Sequence, residues 1–243
     1  MKRFLSFICI IVLMFVLVGC NESGADIAKV EDYTIDKEVV IKEELTYEEA
    51  LQKVSDLEEQ EANYFSYDAK VSAEGMTTSI KLALADENDV YNGTMTMSVD
   101  MGDVKVDIEM FIKDSYIYVD FPGLGKVKTK IPGEEELEDF MGSNKEGYEE
   151  FLAEFYAIAD GHADKVKAGF DSNGCLVLDY NYEGAKGRFV FDKGYPIYFY
   201  IDAEISMEMK FSYEKVTIEF PEDLKPEDYE EINWDEFEGM GLM

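Results

Sequence analysis

The most constraining feature of this sequence is a strict alternation of apolar and polar residues in two successive segments. From Tyr91 to Met101 every second residue is apolar or small, and the residues between them are polar. The segment from Val104 to Ile112 repeats the pattern after the turn residues Gly102 and Asp103. A period of two places the apolar side chains on one face of a strand, and a tight turn joins two such strands as a hairpin. The chain must therefore contain an antiparallel sheet with one apolar face.

Further strands follow from the same alternation and from the turn residues that separate the segments. Before the middle of the chain they are predicted at 65–73, 76–84 and 116–121, and after it at 165–182, 187–191, 196–205 and 206–220. Because successive strands are joined by short turns, both groups are predicted to be antiparallel meanders.

Two helices are predicted between these strands. Thr46 and Glu49 have the spacing of a capping box, and apolar residues continue at helical spacing to about Glu59. Ser143 and Glu146 have the same spacing and begin an apolar stripe that runs to Asp160.

The order of these elements predicts the fold class α+β. We expect a large, curved antiparallel sheet, a half-barrel-like meander, with about two to three helices packed on one face. The predicted domain covers residues 45–220 and is followed by an acidic C-terminal tail over 221–243. Residues 20–44 are predicted to be a tether, with a short strand at Glu38 to Lys42 as the alternative for part of it.

The first twenty residues have the layout of an export signal. Lys2 and Arg3 precede an apolar run from Phe4 to Val18, which is too short for a membrane-spanning helix. The sequence Leu17-Val18-Gly19-Cys20 resembles the lipobox of bacterial lipoproteins. The resemblance implies that residues 1–19 are removed by cleavage between Gly19 and Cys20. It also implies that a diacylglyceryl group on Cys20 anchors the protein to the outer face of the cell membrane, in keeping with a Gram-positive cell surface.

Charge and composition exclude several functions. The chain has 22 basic and 54 acidic residues, and loss of Lys2 and Arg3 would change its net charge from -32 to -34. Nucleic acid is therefore not an expected partner, because binding to phosphates needs clustered cations. One histidine and three scattered cysteines are too few for zinc, haem or iron–sulfur sites, so no cofactor and no metal site is predicted. Loose binding of cations by the acidic segments remains open.

The lipobox, the helix order and strands such as Tyr91 to Val99 give the chain a resemblance to LolA/LppX-like lipoproteins. The resemblance covers most of Thr46 to Phe220. It implies that a lipid or acyl group is held between the sheet and the helices. It implies no catalytic residues.

Methionine supplies the best candidate for a ligand-contacting surface, because flexible thioethers line adaptable apolar sites. Ordinary filling of the core is the alternative for the same residues. The candidates on predicted inward strand positions, and two aromatic residues on the second helix, are Met76, Met95, Met97, Met110, Met207, Met209, Phe151 and Phe155.

Other residues give weaker indications. His162 lies between two aspartates, but a solvated turn is the simpler interpretation. Residues Asp179–Gly184 match the first half of a calcium-binding loop, but Val190 stands where a bidentate carboxylate is needed, so a hairpin is favoured. Cys175 is predicted to be a buried small residue. The aromatic residues from Tyr195 to Tyr200 could bind a glycan or a partner, although alternate exposure along a strand explains them more simply.

The sequence therefore predicts a membrane-anchored extracytoplasmic lipoprotein without catalysis. It is expected to bind a lipid or another apolar ligand between the sheet and the helices. The alternative is an envelope or protein-interaction module with a filled core. An enzyme is disfavoured, because the sequence has no nucleophile, metal or phosphate-binding motif.

Overall fold

The computed structural model describes residues 30–55, 64–73, 75–86, 90–121, 125–131, 162–203 and 205–233. These residues form one sheet of thirteen strands and one α-helix, α1 (Tyr47–Ser55). The strands are β1 (Ile41–Leu45), β2 (Tyr64–Ala73), β3 (Met76–Asp86), β4 (Tyr91–Asp100), β5 (Lys105–Lys113), β6 (Tyr116–Phe121), β7 (Gly125–Lys130), β8 (Val166–Asp171), β9 (Leu176–Tyr182), β10 (Ala185–Asp192), β11 (Tyr195–Asp202), β12 (Ser206–Ser212) and β13 (Glu230–Glu231).

Two antiparallel meanders make up the sheet. One contains β2 to β7 and the other β8 to β12, and the pairing of β12 with β2 joins them into a continuous sheet. β1 extends one edge by antiparallel pairing with β8, and β13 extends the other edge by parallel pairing with β7. The sheet is therefore mixed.

The fold class predicted from the sequence is wrong. The described residues are not an α+β domain with two to three packed helices, but a thirteen-stranded mixed sheet with one helix. The predicted helix from Ser143 to Asp160 lies outside the described residues. The error lies in the helices and in one edge of the sheet. One helix is described where two to three were expected, and β13 makes the sheet mixed by pairing in parallel with β7, which no local periodicity predicts for a strand of two residues.

The predicted capping box of α1 is confirmed. The backbone N–H of Glu49 donates to Thr46 Oγ1 at 3.2 Å, and the backbone N–H of Thr46 donates to Glu49 Oε2 at 2.8 Å. These reciprocal bonds satisfy donors at the first turn and fix where the helix begins. Ala50 and Val54 then pack against the sheet as part of the main core.

The main core lies on one face of the sheet, which we call the inner face. Its side chains come from alternate positions of both meanders, so that Phe65, Leu84 and Ile117 belong to the same cluster as Leu178 and Phe199. This distribution follows from the period-two alternation of each strand.

The outer face carries two smaller cores under the terminal segments. The N-terminal clasp, residues 30–39, covers a cluster that includes Tyr33, Val177 and Ile197. The C-terminal strap, residues 221–232, covers a cluster of Phe111, Tyr118 and Tyr229. Both segments are therefore packed parts of the body over these residues.

The turns define two ends of the sheet. The clasp end carries the turns between β5 and β6, β8 and β9, and β10 and β11. The tip end carries the turns between β4 and β5, β9 and β10, and β11 and β12. In the described ranges, no helix is long and apolar enough to cross a membrane.

Candidate functional site

A run of apolar side chains follows the inner face of β4 and β5. The register places Met95 opposite Met110, Met97 opposite Ile108 and Val99 opposite Val106. The next positions in the same alternation are Met101 and Val104, which close the turn through a hydrogen bond from Met101 N–H to Val104 O at 2.9 Å. We call these four pairs the apolar stripe.

Exposure changes steadily along the apolar stripe. Met95 and Met110 are 7% and 5% exposed, and the two middle pairs are half-buried. Met101 and Val104 at the tip end are 50% and 52% exposed, which is unusual for large apolar side chains in this structure. The stripe thus leads from solvent at the tip end into the core, and we call its exposed end the mouth.

Leu84 closes the buried end of the apolar stripe. The next pair along β4 and β5 is Gly93 opposite Ile112, and Gly93 also lies opposite Leu84 of β3. A Cβ atom at Gly93 would lie 2.3 Å from Leu84 Cδ2, so the leucine side chain occupies the space that a larger residue would need. The stripe therefore has a defined length.

The predicted methionines share one face, although they do not form one cluster. Met209 lies in register with Ala69, Ile80 and Met97 across β12, β2, β3 and β4. Three strand spacings separate Met209 from Met97, or about 14 Å. Met207 and Met209 are buried in the core, and Met76 is half-buried opposite Ala73 at the tip end. Phe151 and Phe155, together with Gly19 and Cys20, lie outside the described residues.

A buried hydroxyl group lies beside the stripe. Thr78 is opposite Val99, and its Oγ1 atom is buried without a hydrogen-bond partner among the described residues. Removing such a hydroxyl from water without a partner costs free energy, so a polar atom of a ligand could satisfy it. Sequence reasoning missed Thr78; the available signal was a threonine at an inward position between Met76 and Ile80.

Carboxylates surround the mouth. Asp100 accepts a hydrogen bond from the Gly102 N–H at 2.8 Å, and Asp103 is exposed in the same turn. Asp107 pairs with Lys105 at 3.1 Å, and hydrogen bonds from Ser98 and Lys105 lower its pKa. The net negative charge at this position disfavours an anionic ligand group.

Arg188 organises the N-terminal clasp and is only 4% exposed. Its Nε donates to Asp179 Oδ1 at 2.9 Å. Its Nη1 donates to the carbonyl oxygens of Lys37 at 2.7 Å, Thr34 at 2.8 Å and Tyr33 at 3.3 Å. A guanidinium group has enough donors for such a set, and the charge of Asp179 compensates its burial.

A second set of hydrogen bonds fixes the Tyr33 side chain at the clasp end. The Tyr33 hydroxyl donates to Asp171 Oδ2 at 2.7 Å and accepts from Asn173 Nδ2 at 3.0 Å. Asp171 Oδ1 also accepts the backbone N–H groups of Asn173 and Cys175 at 2.8 and 3.0 Å. Burial raises the pKa of Tyr33, so its hydroxyl stays protonated as a donor. These groups bind one another and hold the clasp in place.

Cys175 is a buried residue, as the sequence predicted. It is 0% exposed and contacts the Tyr33 hydroxyl. Burial raises its pKa to about 11, so the thiol is protonated at neutral pH. Since the thiolate is the reactive form, the arrangement gives Cys175 no nucleophilic role.

The hairpin interpretation of Asp179–Gly184 is confirmed. These residues end β9 and form the turn to β10, in which Glu183 and Gly184 have φ angles of 52° and 92°. Asp179 pairs with Arg188, and Val190 lies opposite Val177 inside the sheet. The ring of His162 lies 4.8 Å from that of Tyr182. No group of three or more potential metal-ligating side chains occurs in the part of the chain that the structure describes.

The aromatic residues of β11 do not form an exposed patch. Tyr195, Tyr198 and Phe199 are buried and Tyr200 is half-buried, because the core covers one face and the N-terminal clasp covers the other. The Tyr198 hydroxyl donates to Glu208 at 3.1 Å and accepts the Ile35 N–H at 3.1 Å. The prediction that side chains on this strand alternate between exposed and buried is therefore wrong.

No protein-family model fits the sequence, and no curated protein is significantly similar to it.

Proposed function

We propose that this protein is a membrane-anchored extracytoplasmic lipoprotein that binds an elongated apolar ligand on the apolar stripe and catalyses no reaction. The graded exposure of the stripe carries this proposal. At the mouth, large apolar side chains remain in contact with water, and the row of apolar side chains runs from there into the core without interruption. A ligand that moves along this row exchanges water contact for apolar contact, which is favourable.

The length of the stripe favours a hydrocarbon chain as the ligand. Six residues separate Met101 from Met95, which corresponds to about 20 Å along a strand. An extended acyl chain advances about 1.3 Å per methylene, as carbon–carbon bonds of about 1.5 Å at tetrahedral angles require. About sixteen carbons would therefore reach from the mouth to Met95, the last stripe residue before Leu84 closes the stripe.

The surroundings of the mouth favour an uncharged head group. Asp100 and Asp103 would repel a fatty-acid carboxylate. The Thr78 hydroxyl can donate to a carbonyl oxygen, as an acyl ester supplies. A neutral acyl ester therefore fits these groups better than a free fatty acid.

The anchor is supported by the Leu17-Val18-Gly19-Cys20 sequence and by the charge of the chain. The cleaved chain, with a net charge of -34, is repelled by anionic headgroups, so it cannot bind a bilayer electrostatically. Two acyl chains on Cys20 would suffice for stable attachment, since each buried methylene contributes about 0.8 kcal/mol.

A second candidate is an interaction module with a filled core. The deep burial of Met95, Met110, Met207 and Met209 favours it, because these side chains already pack as core residues. In that case the half-buried part of the stripe would bind no small molecule.

Native mass spectrometry of the purified protein, before and after organic extraction, separates the two candidates. The first predicts a co-purifying lipid mass, or uptake of monopalmitoylglycerol after extraction. Met97→Asp should abolish uptake, and Val104→Asp at the exposed mouth should weaken it without disturbing the core. Val90→Asp, at the other end of β4 and 40% exposed, is the matched control and should bind normally. No lipid mass and no uptake by the unsubstituted protein would favour the filled core.

A further inference from the structure

We infer that the N-terminal clasp determines how the protein stands on its membrane. The clasp end of the sheet lies next to the bilayer, and the mouth of the apolar stripe faces away from it. This inference rests on the lipid anchor at Cys20 that belongs to the proposed function.

The clasp fixes where the anchored chain meets the body. The Tyr33 hydroxyl is bound to Asp171 and Asn173 in the turn between β8 and β9, which belongs to the clasp end. Val30, the first described residue, packs against the same outer core as Tyr33. A chain that comes from the membrane therefore reaches the body at the clasp end.

The length of chain between anchor and clasp limits how far the clasp end can lie from the bilayer. Residues 20–29 are ten residues, which span at most about 35 Å even when fully extended. β4 alone has ten residues, which corresponds to about 33 Å from the clasp end to the tip end. The anchor therefore keeps the clasp end within about 35 Å of the bilayer, while the tip end lies a strand length from the point of attachment.

Charge opposes a body that lies flat on the membrane. An acidic surface is repelled by an anionic bilayer over about one Debye length, which is about 8 Å at physiological ionic strength. The clasp end presents less surface to the bilayer than either face of the sheet would. It is also the part that the tether holds close to the bilayer.

This orientation has a consequence for ligand exchange. Met101 and Val104 at the mouth are separated from the clasp end, which lies next to the membrane, by the full length of β4. The ligand therefore does not pass directly from the anchoring bilayer into the mouth. It must be brought to the mouth by a molecule that approaches from the side away from the bilayer.

Energy transfer from two matched positions on β4 tests the orientation. Val90 precedes β4 at the clasp end and Met101 follows it at the tip end, and both are exposed. Val90→Cys and Met101→Cys variants of the lipidated protein are labelled with a donor dye. They are then attached to vesicles of phosphatidylcholine and phosphatidylglycerol that carry an acceptor dye on the headgroups. Buried Cys175 should remain unlabelled in these two variants, which the unsubstituted protein verifies. In the variants that open the clasp it is replaced by alanine, because an open clasp exposes its thiol.

We expect transfer from position 90 to exceed transfer from position 101 by about fivefold or more, because the strand adds about 33 Å to the second distance. Arg188→Ala should lower transfer from position 90, since an opened clasp lengthens the tether by up to eleven residues before β1 begins at Ile41. Tyr33→Ala, which removes the other attachment, should act in the same direction.

Equal transfer from the two positions in the otherwise unsubstituted protein would overturn the inference. Flotation of the vesicles measures the anchor separately. Protein that floats with the vesicles but shows equal transfer contradicts the orientation alone. Protein that does not float, or that lacks a lipid mass on Cys20, contradicts the proposed anchor and with it the inference.

Discussion

Replacing Arg188 with alanine is expected to open the N-terminal clasp while the sheet remains folded. Arg188 is the only side chain that links three carbonyl oxygens of the clasp, those of Tyr33, Thr34 and Lys37, to a carboxylate on the sheet, within the residues described. The sheet itself does not depend on these bonds, because its strands are held by their own ladder. The effect should therefore be local.

The magnitude follows from the burial of the two charges. Removing one partner of a buried ion pair costs about 3–5 kcal/mol. The Asp179 side chain is 26% exposed, so water recovers part of its solvation, and a cost of about 2–4 kcal/mol is the better estimate. Since about 1.4 kcal/mol corresponds to a factor of ten, the open fraction of the clasp should rise by about 30-fold to 1,000-fold.

Labelling of Cys175 by a thiol reagent measures this opening. The thiol is 0% exposed beneath the clasp and contacts Tyr33, so a reagent reaches it only when the clasp opens. With fast reclosing, the labelling rate follows the open fraction and should rise by the same factor. Lys81→Ala is the matched control. It removes an exposed pair with Asp68 between β3 and β2, and it should change the rate by less than about threefold.

A labelling rate in Arg188→Ala within threefold of the unsubstituted protein would refute this reasoning. So would a rise that is matched by an equal loss of global stability in urea, because labelling would then report unfolding of the whole sheet.

Three further predictions concern other parts of the molecule. Gly169→Ala should detach β1 and lower the free energy of unfolding by about 1–3 kcal/mol, measured in urea, because Gly169 has φ +147° and a Cβ there would lie 2.0 Å from a β1 carbonyl oxygen. Stability should fall as the pH rises from about 9 to 11, because the Cys175 thiol loses its proton in this range in the unfolded chain, whereas its pKa in the folded protein is about 11. Cys175→Ala should reduce this fall in a plot of melting temperature against pH. Lys128→Glu should release the C-terminal strap by replacing the 3.7 Å pair with Glu231 by a repulsion, so that a glutamate-specific protease cuts the strap faster, whereas Lys130→Glu on the same strand should not have this effect.

Much of the strand pattern could be predicted from the sequence. The alternation predicted β2 to β6 with ends close to those observed, and the capping box correctly located the start of α1. β7 was missed because Pro122 and Pro132 beside it suggested a break, although Val127 and Thr129 alternate as a strand requires. The fold class was wrong because two to three packed helices were expected where the described residues contain one, and because the two-residue strand β13, which pairs in parallel with β7, is too short for a periodic pattern.

The candidate site was predictable only in part. A period of two was enough to place Met95, Met97 and Met110 on one face. The exposure of Met101 and Val104 was not predictable, because it depends on which neighbouring strands extend to the tip end. The role of Arg188 was also missed, since a lone arginine in a strand gives no sign of a partner more than 150 positions away in the sequence.

A nuclear magnetic resonance titration tests ligand binding on the apolar stripe most directly. The methionine methyl groups are labelled with carbon-13, and monopalmitoylglycerol is added stepwise. Saturable shifts of Met95, Met97, Met101 and Met110, with Met207 and Met209 unchanged, are the predicted result. Palmitate should bind more weakly than its neutral ester. Unchanged methyl signals throughout the titration, or shifts confined to Met207 and Met209, would contradict the account.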